Sequence, residues 1–155
     1  MNEAEFQIAV MPGDGIGIEV MDACRVVLDA LERRVGGYRL RHLPVDVGAG
    51  TYQRTGTAMS EAAYRAGEAA DAILLGAIGL PHVRLPDGRE IAPQLDLRMG
   101  LGLYAGVRPV RPLPGLPPLL ADPRAAGIDL VIIRESTEGL FKVRAHGGRV
   151  DDAIA

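Results

Sequence analysis

The chain reads as short apolar runs separated by turns rich in glycine and proline. Phe6 to Met11 is a compact apolar run, which predicts a strand. It enters Pro12-Gly13-Asp14-Gly15-Ile16-Gly17, too rich in glycine for helix or sheet. Val20, Cys24, Val27 and Leu31 then recur at three- and four-residue intervals, with Glu19, Asp22, Arg25, Asp29 and Glu32 mostly elsewhere. That pattern predicts an amphipathic helix with Cys24 on its core face, ended by Gly36-Gly37. Tyr38 to Val47 alternates as a second strand. Thr57 to Ala70 predicts a helix with Ser60 as its cap and Glu61 in the first turn. Asp71 to Gly76 reads as a buried strand. The order strand, helix, strand, helix, strand predicts an α/β layer over a largely parallel sheet.

Further along, Leu80 to Pro93 holds three prolines and a glycine and reads as a loop. Leu95 to Leu103 predicts a short helix, weakened by Gly100 and Gly102. Tyr104 to Val110 predicts a strand. A proline-punctuated segment from Pro109 to Pro123 follows, and Ile128 to Arg134 is the next clear strand.

Composition narrows the class. With 155 residues, 48 % of them hydrophobic, the chain has about one domain's length and enough apolar mass for a core. A formal charge of -3 and a pI near 5.6 weigh against a general nucleic-acid binder. A single cysteine allows no internal disulfide and fits a reducing compartment. The N-terminus has no basic region or long apolar run, and no stretch approaches the ~18 apolar residues of a membrane span. The expectation is a cytoplasmic protein with no membrane or nucleic-acid partner. All but one of the 17 basic residues are arginine, the exception being Lys142, so an arginine is no evidence of function by itself.

Three motifs carry candidate chemistry. Gly13, Gly15 and Gly17 give G-x-G-x-G, so the third glycine is misplaced for a dinucleotide fingerprint. The turn reads either as a tight strand-to-helix turn with positive φ angles or as a row of exposed amides that meets a cofactor. Arg98, on the short helix, and Arg108, on the strand after it, suit a small carboxylic acid, which planar guanidinium groups grip bidentately; they read equally as surface arginines. Arg134 stands at the carboxyl end of an apolar strand, before Glu135-Ser136-Thr137-Glu138-Gly139. Ligands of α/β sheets gather at such ends, and the alternative is a strand end with Arg134 paired to Glu135 or Glu138. His42, His82 and His146 are scattered, so no zinc-type cluster is present, and there is no nucleophile elbow or P-loop. Asp151-Asp152 reads as a solvated pair rather than a cation site.

Taken in order, MPGDGIGIEV, AILLGAIGLP, LDLRMGLGLYAGVRP and VIIRESTEGLF make residues 8 to 141 resemble the β-decarboxylating dehydrogenases, the isocitrate, isopropylmalate, homoisocitrate and tartrate/malate enzymes. The resemblance implies a non-Rossmann α/β fold of the isocitrate/isopropylmalate dehydrogenase type, incomplete here. Residues 1–100 would belong to the first domain, and 101–155 would start a second that includes the beginning of a dimer arm. It implies NAD- or NADP-linked oxidation and decarboxylation of a 2-hydroxy acid bearing a further carboxylate, a dicarboxylate or tricarboxylate, with Mg or Mn. Arg98, Arg108 and Arg134 match the family's carboxylate-binding arginines. Ile16 and the loop of Gly76, Ala77, Ile78, Gly79 and Leu80 would lie against the cofactor. Ile91, Gln94 and Leu95 align with the stretch that selects the substrate side chain, and Gln94 argues against a branched-alkyl substrate.

Two departures stand out. Phe141 occupies the position of a family tyrosine that helps protonate the enol intermediate, and it has no hydroxyl to donate. The family's general-base lysine and metal-binding aspartates align beyond residue 155, so no metal ligand is expected in these residues. Two readings follow. One is the N-terminal portion of such an oxidoreductase, inactive alone and working as a homodimer when complete. The other is a non-catalytic homologue that binds a dicarboxylate or assembles with a partner, with the apolar stretch 140–150 as a β-arm.

Overall fold

The computed structural model describes residues 3–117 and 120–138, and the chain divides into two compact units, Met1–Leu97 and Arg98–Ala155. In the first unit, β1 (Ala4–Met11) is the middle strand of a three-stranded parallel sheet, between β2 (Tyr38–Pro44) and β3 (Ala72–Leu75). The register sets Ile8 beside His42 on one side and Ala72 on the other. Helix α1 (Ile16–Val35) joins β1 to β2, and α2 (Ala49–Thr55) and α3 (Glu61–Ala69) join β2 to β3. This is the predicted α/β layer, with parallel strands connected through helices.

Local chemistry accounts for most boundaries. Ser60 caps α3, its hydroxyl accepting from Ala63 N–H at 3.1 Å, and Glu61 opens the first turn, as the spacing predicts. The second strand stops at Pro44 rather than Val47, where the ring removes a ladder donor. Val45 still donates to Val10 C=O at 2.8 Å, and Val45 and Val47 turn into the core. Gly67 lets α3 approach the sheet closely, since a Cβ there would stand 3.0 Å from Met11 Cε and 3.1 Å from Ile73 Cδ1.

One expectation, the buried face of α1, is corrected. The segment from Leu80 to Pro93 carries no helix or strand before α4, as expected, yet it is packed. Val83 and Ile91 are buried with Ala49 of α2, and Tyr52, Ala58, Leu80 and Leu85 pack around them. In α1, the buried positions are Gly17 and Met21. Cys24 is half-buried, and its expected core neighbours Val20, Val27 and Leu31 are exposed, Val27 to 65 %. The least exposed stripe of the helix is the neighbouring one of Gly17, Met21, Cys24 and Leu28.

Helix α4 (Pro93–Gly100) spans the boundary between the units. The second unit contains an antiparallel ribbon of β4 (Ala105–Val110) and β5 (Leu130–Glu135), with a 3-10 turn at Pro123–Gly127 in the connection between them. Both strands fall where the apolar runs predict them. Phe141, the apolar stretch 140–150 and Asp151-Asp152 lie outside the described residues. Among the described residues no helix is long and apolar enough to cross a membrane.

Candidate functional site

The carboxyl ends of β1 and β3 meet in the first unit. The glycine turn after β1 packs directly on the loop after β3: Gly76 N–H donates to Met11 C=O at 2.8 Å, and Asp14 N–H to Ala77 C=O at 2.7 Å. Gly13 and Gly15 have φ angles of 77° and 53°, in the left-handed region. Gly17 has another role. A Cβ there would collide with Pro12 C=O and with the Ala77 backbone, and one on Gly76 would collide with Pro12 C=O. The glycines thus serve the contact between turn and loop, which bears out the tight-turn reading. Gly15, Ile16, Ala77 and Gly79 are exposed, Ile16 to 60 %, on a surface that is mostly backbone.

Asp14 organises this junction, and the motif pattern does not single it out. It is only 6 % exposed, and its carboxylate accepts three backbone amides: Ala49 and Gly79 on Oδ2 at 2.7 and 2.9 Å, and Gly50 on Oδ1 at 2.7 Å. Ala49 and Gly50 begin α2, where amides have no partner within the helix. A buried carboxylate is costly unless its lone pairs are filled, and here they are filled by donors 35, 36 and 65 positions away. A carboxylate flanked by glycines in a turn was the available signal, since such a turn brings the side chain close to other backbone.

Of the predicted substrate residues, Gln94, Leu95 and Arg98 all lie on α4. Gln94 and Arg98 are half-buried and Leu95 is exposed. Gln94 Oε1 is buried without a hydrogen-bond donor among the described residues.

In the second unit, the ribbon register pairs Gly106 with Arg134 and Arg108 with Ile132. Directly paired residues share a face, and alternate residues along a strand share it too. Arg108 and Arg134 therefore lie on the same face as diagonal neighbours, within roughly 7–8 Å at the backbone. Gly106 presents no side chain beside Arg134; a Cβ there would stand 3.2 Å from Arg134 C=O. Glu135 falls on the opposite face and caps the turn that follows. Thr137 donates to its Oε1 through N–H at 2.6 Å and hydroxyl at 2.7 Å, and Glu138 N–H donates to Oε2 at 2.9 Å. The Thr137 hydroxyl, then the amides of Glu138 and Thr137, bring its pKa from an ordinary 4.5 down to about 2.

Arg54, Arg65, Arg89, Arg111 and Arg124 sit in exposed ion pairs. Among the described residues Arg98 and Arg108 form none, but neither do Arg25, Arg33 and Arg34 of α1, so register is the stronger discriminator. Among the described residues, no group of three His, Cys, Asp or Glu side chains converges on a metal position, so these residues do not by themselves fit a metal ion.

The fold is of the isocitrate/isopropylmalate dehydrogenase type. A crystal structure of a β-decarboxylating dehydrogenase from Thermococcus kodakarensis matches with a TM-score of 0.65 at 36 % identity, over 87 % of this chain and 35 % of that one. One of an isocitrate dehydrogenase from Methylococcus capsulatus matches with a TM-score of 0.68 at 28 % identity, over 88 % and 36 %. In sequence, a probable tartrate dehydrogenase/decarboxylase of Agrobacterium vitis is 38 % identical over 151 residues, covering 97 % of this chain and 41 % of the relative. A 3-isopropylmalate dehydrogenase of Vibrio cholerae is 39 % identical over 147 residues, covering 91 % and 40 %. Residues 7–151 match the family described as isocitrate/isopropylmalate dehydrogenase, and the chain belongs to that oxidoreductase family. It spans about two fifths of the length of these curated relatives.

The local geometry is open to two measurements. Gly17→Ala should cost about 1–3 kcal/mol in urea unfolding, the usual penalty for overpacking. Gly127→Ala, where an added Cβ meets nothing within 4 Å and φ is not positive, should stay within about 0.5 kcal/mol; equal losses would contradict the close-approach argument. For Glu135, a carboxyl NMR titration should give a midpoint near 2, moving up towards 4.5 in Thr137→Val. Because the folded-state pKa is depressed, the stabilisation is complete above about 4.5 and is lost as pH falls through about 2.

Proposed function

We propose that the chain supplies the acid-binding and nicotinamide-facing portion of an NAD- or NADP-linked decarboxylating dehydrogenase acting on a 2-hydroxy acid with a further carboxylate. The observation that carries this is the ribbon register, which sets Arg108 and Arg134 side by side on one face. Two guanidinium groups so spaced can each take a carboxylate oxygen pair and hold a diacid in one orientation. Arg98, in the same unit, is assigned to the same acid.

The nicotinamide is assigned to Ile16 and to Gly76, Ala77, Ile78 and Gly79. A surface of exposed backbone and one isoleucine suits the close approach of a planar ring, which when bound accepts hydride from the hydroxyl-bearing carbon. The Gly79 N–H is already given to Asp14, so Gly79 would meet a ligand through its carbonyl and Cα. Gln94 supports a polar substrate side chain, because a side-chain amide can hydrogen-bond a hydroxyl but has nothing to offer an isopropyl group. A tartrate-like or malate-like acid fits this better than isopropylmalate. Mg or Mn, a homodimer and a cytoplasmic location complete the proposal by family resemblance.

The exposed apolar residues of α1 and of the ribbon favour a second reading, a homologue that binds the acid and assembles with a partner without turnover. On either reading the 155-residue chain alone should not reduce NAD or NADP with isocitrate, isopropylmalate, malate or tartrate plus Mn, and measured turnover would refute this. Calorimetric titration with tartrate and malate tests the clamp. Arg108→Met should weaken binding by on the order of 2–4 kcal/mol, the cost of losing a charged hydrogen-bond partner. Unchanged affinity in a folded variant would remove Arg108 from the site.

A further inference from the structure

We propose that Asp14 is a positioning residue for the loop from Gly76 to Leu80, fixing the backbone on which the nicotinamide face is built. The inference rests on the assignment of that loop to the cofactor. Asp14 grips the loop at two points: its N–H donates to Ala77 C=O at 2.7 Å, and its carboxylate accepts Gly79 N–H at 2.9 Å. Between those points Ile78 can swing only as far as the two anchors allow. Gly79 has a φ of 121°, a backbone conformation that side chains rarely adopt, and a Cβ there would meet nothing within 4 Å. Among the described residues, its hydrogen bond to Asp14 is the restraint that holds it.

The same carboxylate also takes Ala49 and Gly50 N–H at 2.7 Å each, and these residues sit on α2, whose Ala49 is buried against Val83 and Ile91. The aspartate is thus anchored to a packed element while it holds an exposed one. A plain helix cap needs only the α2 amides. The bond to Gly79 is the part that a capping role leaves unexplained. Ala77 and Gly79 remain exposed, so the loop is held from within while its outer surface stays open to a ligand.

The test is amide hydrogen exchange by NMR on the full chain, together with NADH titration. In the wild type, Gly79 N–H should exchange as slowly as Ala49 and Gly50 N–H although it lies in an exposed loop; exchange at the free-amide rate overturns the proposal. In Asp14→Asn, exchange at Gly79 should rise by at least about tenfold, the scale of one charged hydrogen bond, while the amides of β1, β2 and α3 stay protected. NADH affinity should fall by a similar factor. A uniform rise across the unit makes Asp14 a general structural residue and overturns positioning, as does selective release of Gly79 with NADH affinity unchanged. If the wild type binds no NADH but Gly79 is released selectively, the cofactor assignment of the loop fails while Asp14's hold on it stands. Should Asp14→Asn not fold, Gly79→Ala strains the loop alone and leaves Asp14 and α2 in place. It should show the same loss of NADH affinity, and unchanged affinity overturns the proposal.

Discussion

One carboxylate ties together three segments of the first unit. The turn after β1, the start of α2 and the loop after β3 are far apart in sequence, and Asp14 accepts amides from the latter two while sitting in the first. Removing the charge would leave the buried Ala49 amide, the half-buried Gly50 amide and the amide of exposed Gly79 competing for a weaker acceptor, and an unpaired buried donor costs about 1–3 kcal/mol. The glycines around Asp14 follow from the same constraint. Gly13, Gly17 and Gly76 clear the space in which turn and loop touch, and the Gly48 position leaves room for the carboxylate itself.

This explains what the sequence pattern could and could not show. Strands β1, β3, β4 and β5 and helices α1 and α3 were legible because each carries its own period, cap or apolar run, and Ser60 does at α3 what its position before Glu61 implies. Helix α2 was not legible. It is short, it contains Gly50, Thr51 and Thr55, and its cap comes from Asp14, 35 residues before Ala49. Local propensity carries no trace of a donor–acceptor pair that distant. The face of α1 was misjudged for a related reason. Val20, Val27 and Leu31 make the more apolar stripe, but the buried positions are Gly17 and Met21, since the tight turn at Gly15 fixes how the helix leaves β1.

The candidate site was legible in part. Each of Arg98, Arg108 and Arg134 was visible as a residue, and family resemblance selected them from an arginine-rich chain. Their relation was not visible. Whether Arg108 and Arg134 share a face depends on the antiparallel register, in which a shift of one residue would put them on opposite sides. Asp14 stood in plain view between two glycines, but its role belongs to contacts that only the folded chain makes.

The ribbon that carries the two arginines also bears on how the family chemistry can be built. A two-stranded ribbon is marginal by itself and needs one face covered. One face of this ribbon holds Gly106, Arg108, Val110, Leu130, Ile132 and Arg134, and the other holds Ala105, Val107, Pro109, Val131, Ile133 and Glu135, with Val107, Val131 and Ile133 exposed, Ile133 to 69 %. Burying a side chain of that size is worth roughly 1.5–3 kcal/mol, and each face offers three: Val110, Leu130 and Ile132 beside two guanidinium groups, whose covering would cost desolvation, and Val107, Val131 and Ile133 beside Glu135 alone. The face of Val107, Val131 and Ile133 is therefore the less costly one to cover, and covering it leaves the face of Arg108 and Arg134 open. On the proposed role of these arginines, acid binding would depend on that packing, because the diagonal spacing of Arg108 and Arg134 is set by the ribbon that it holds together.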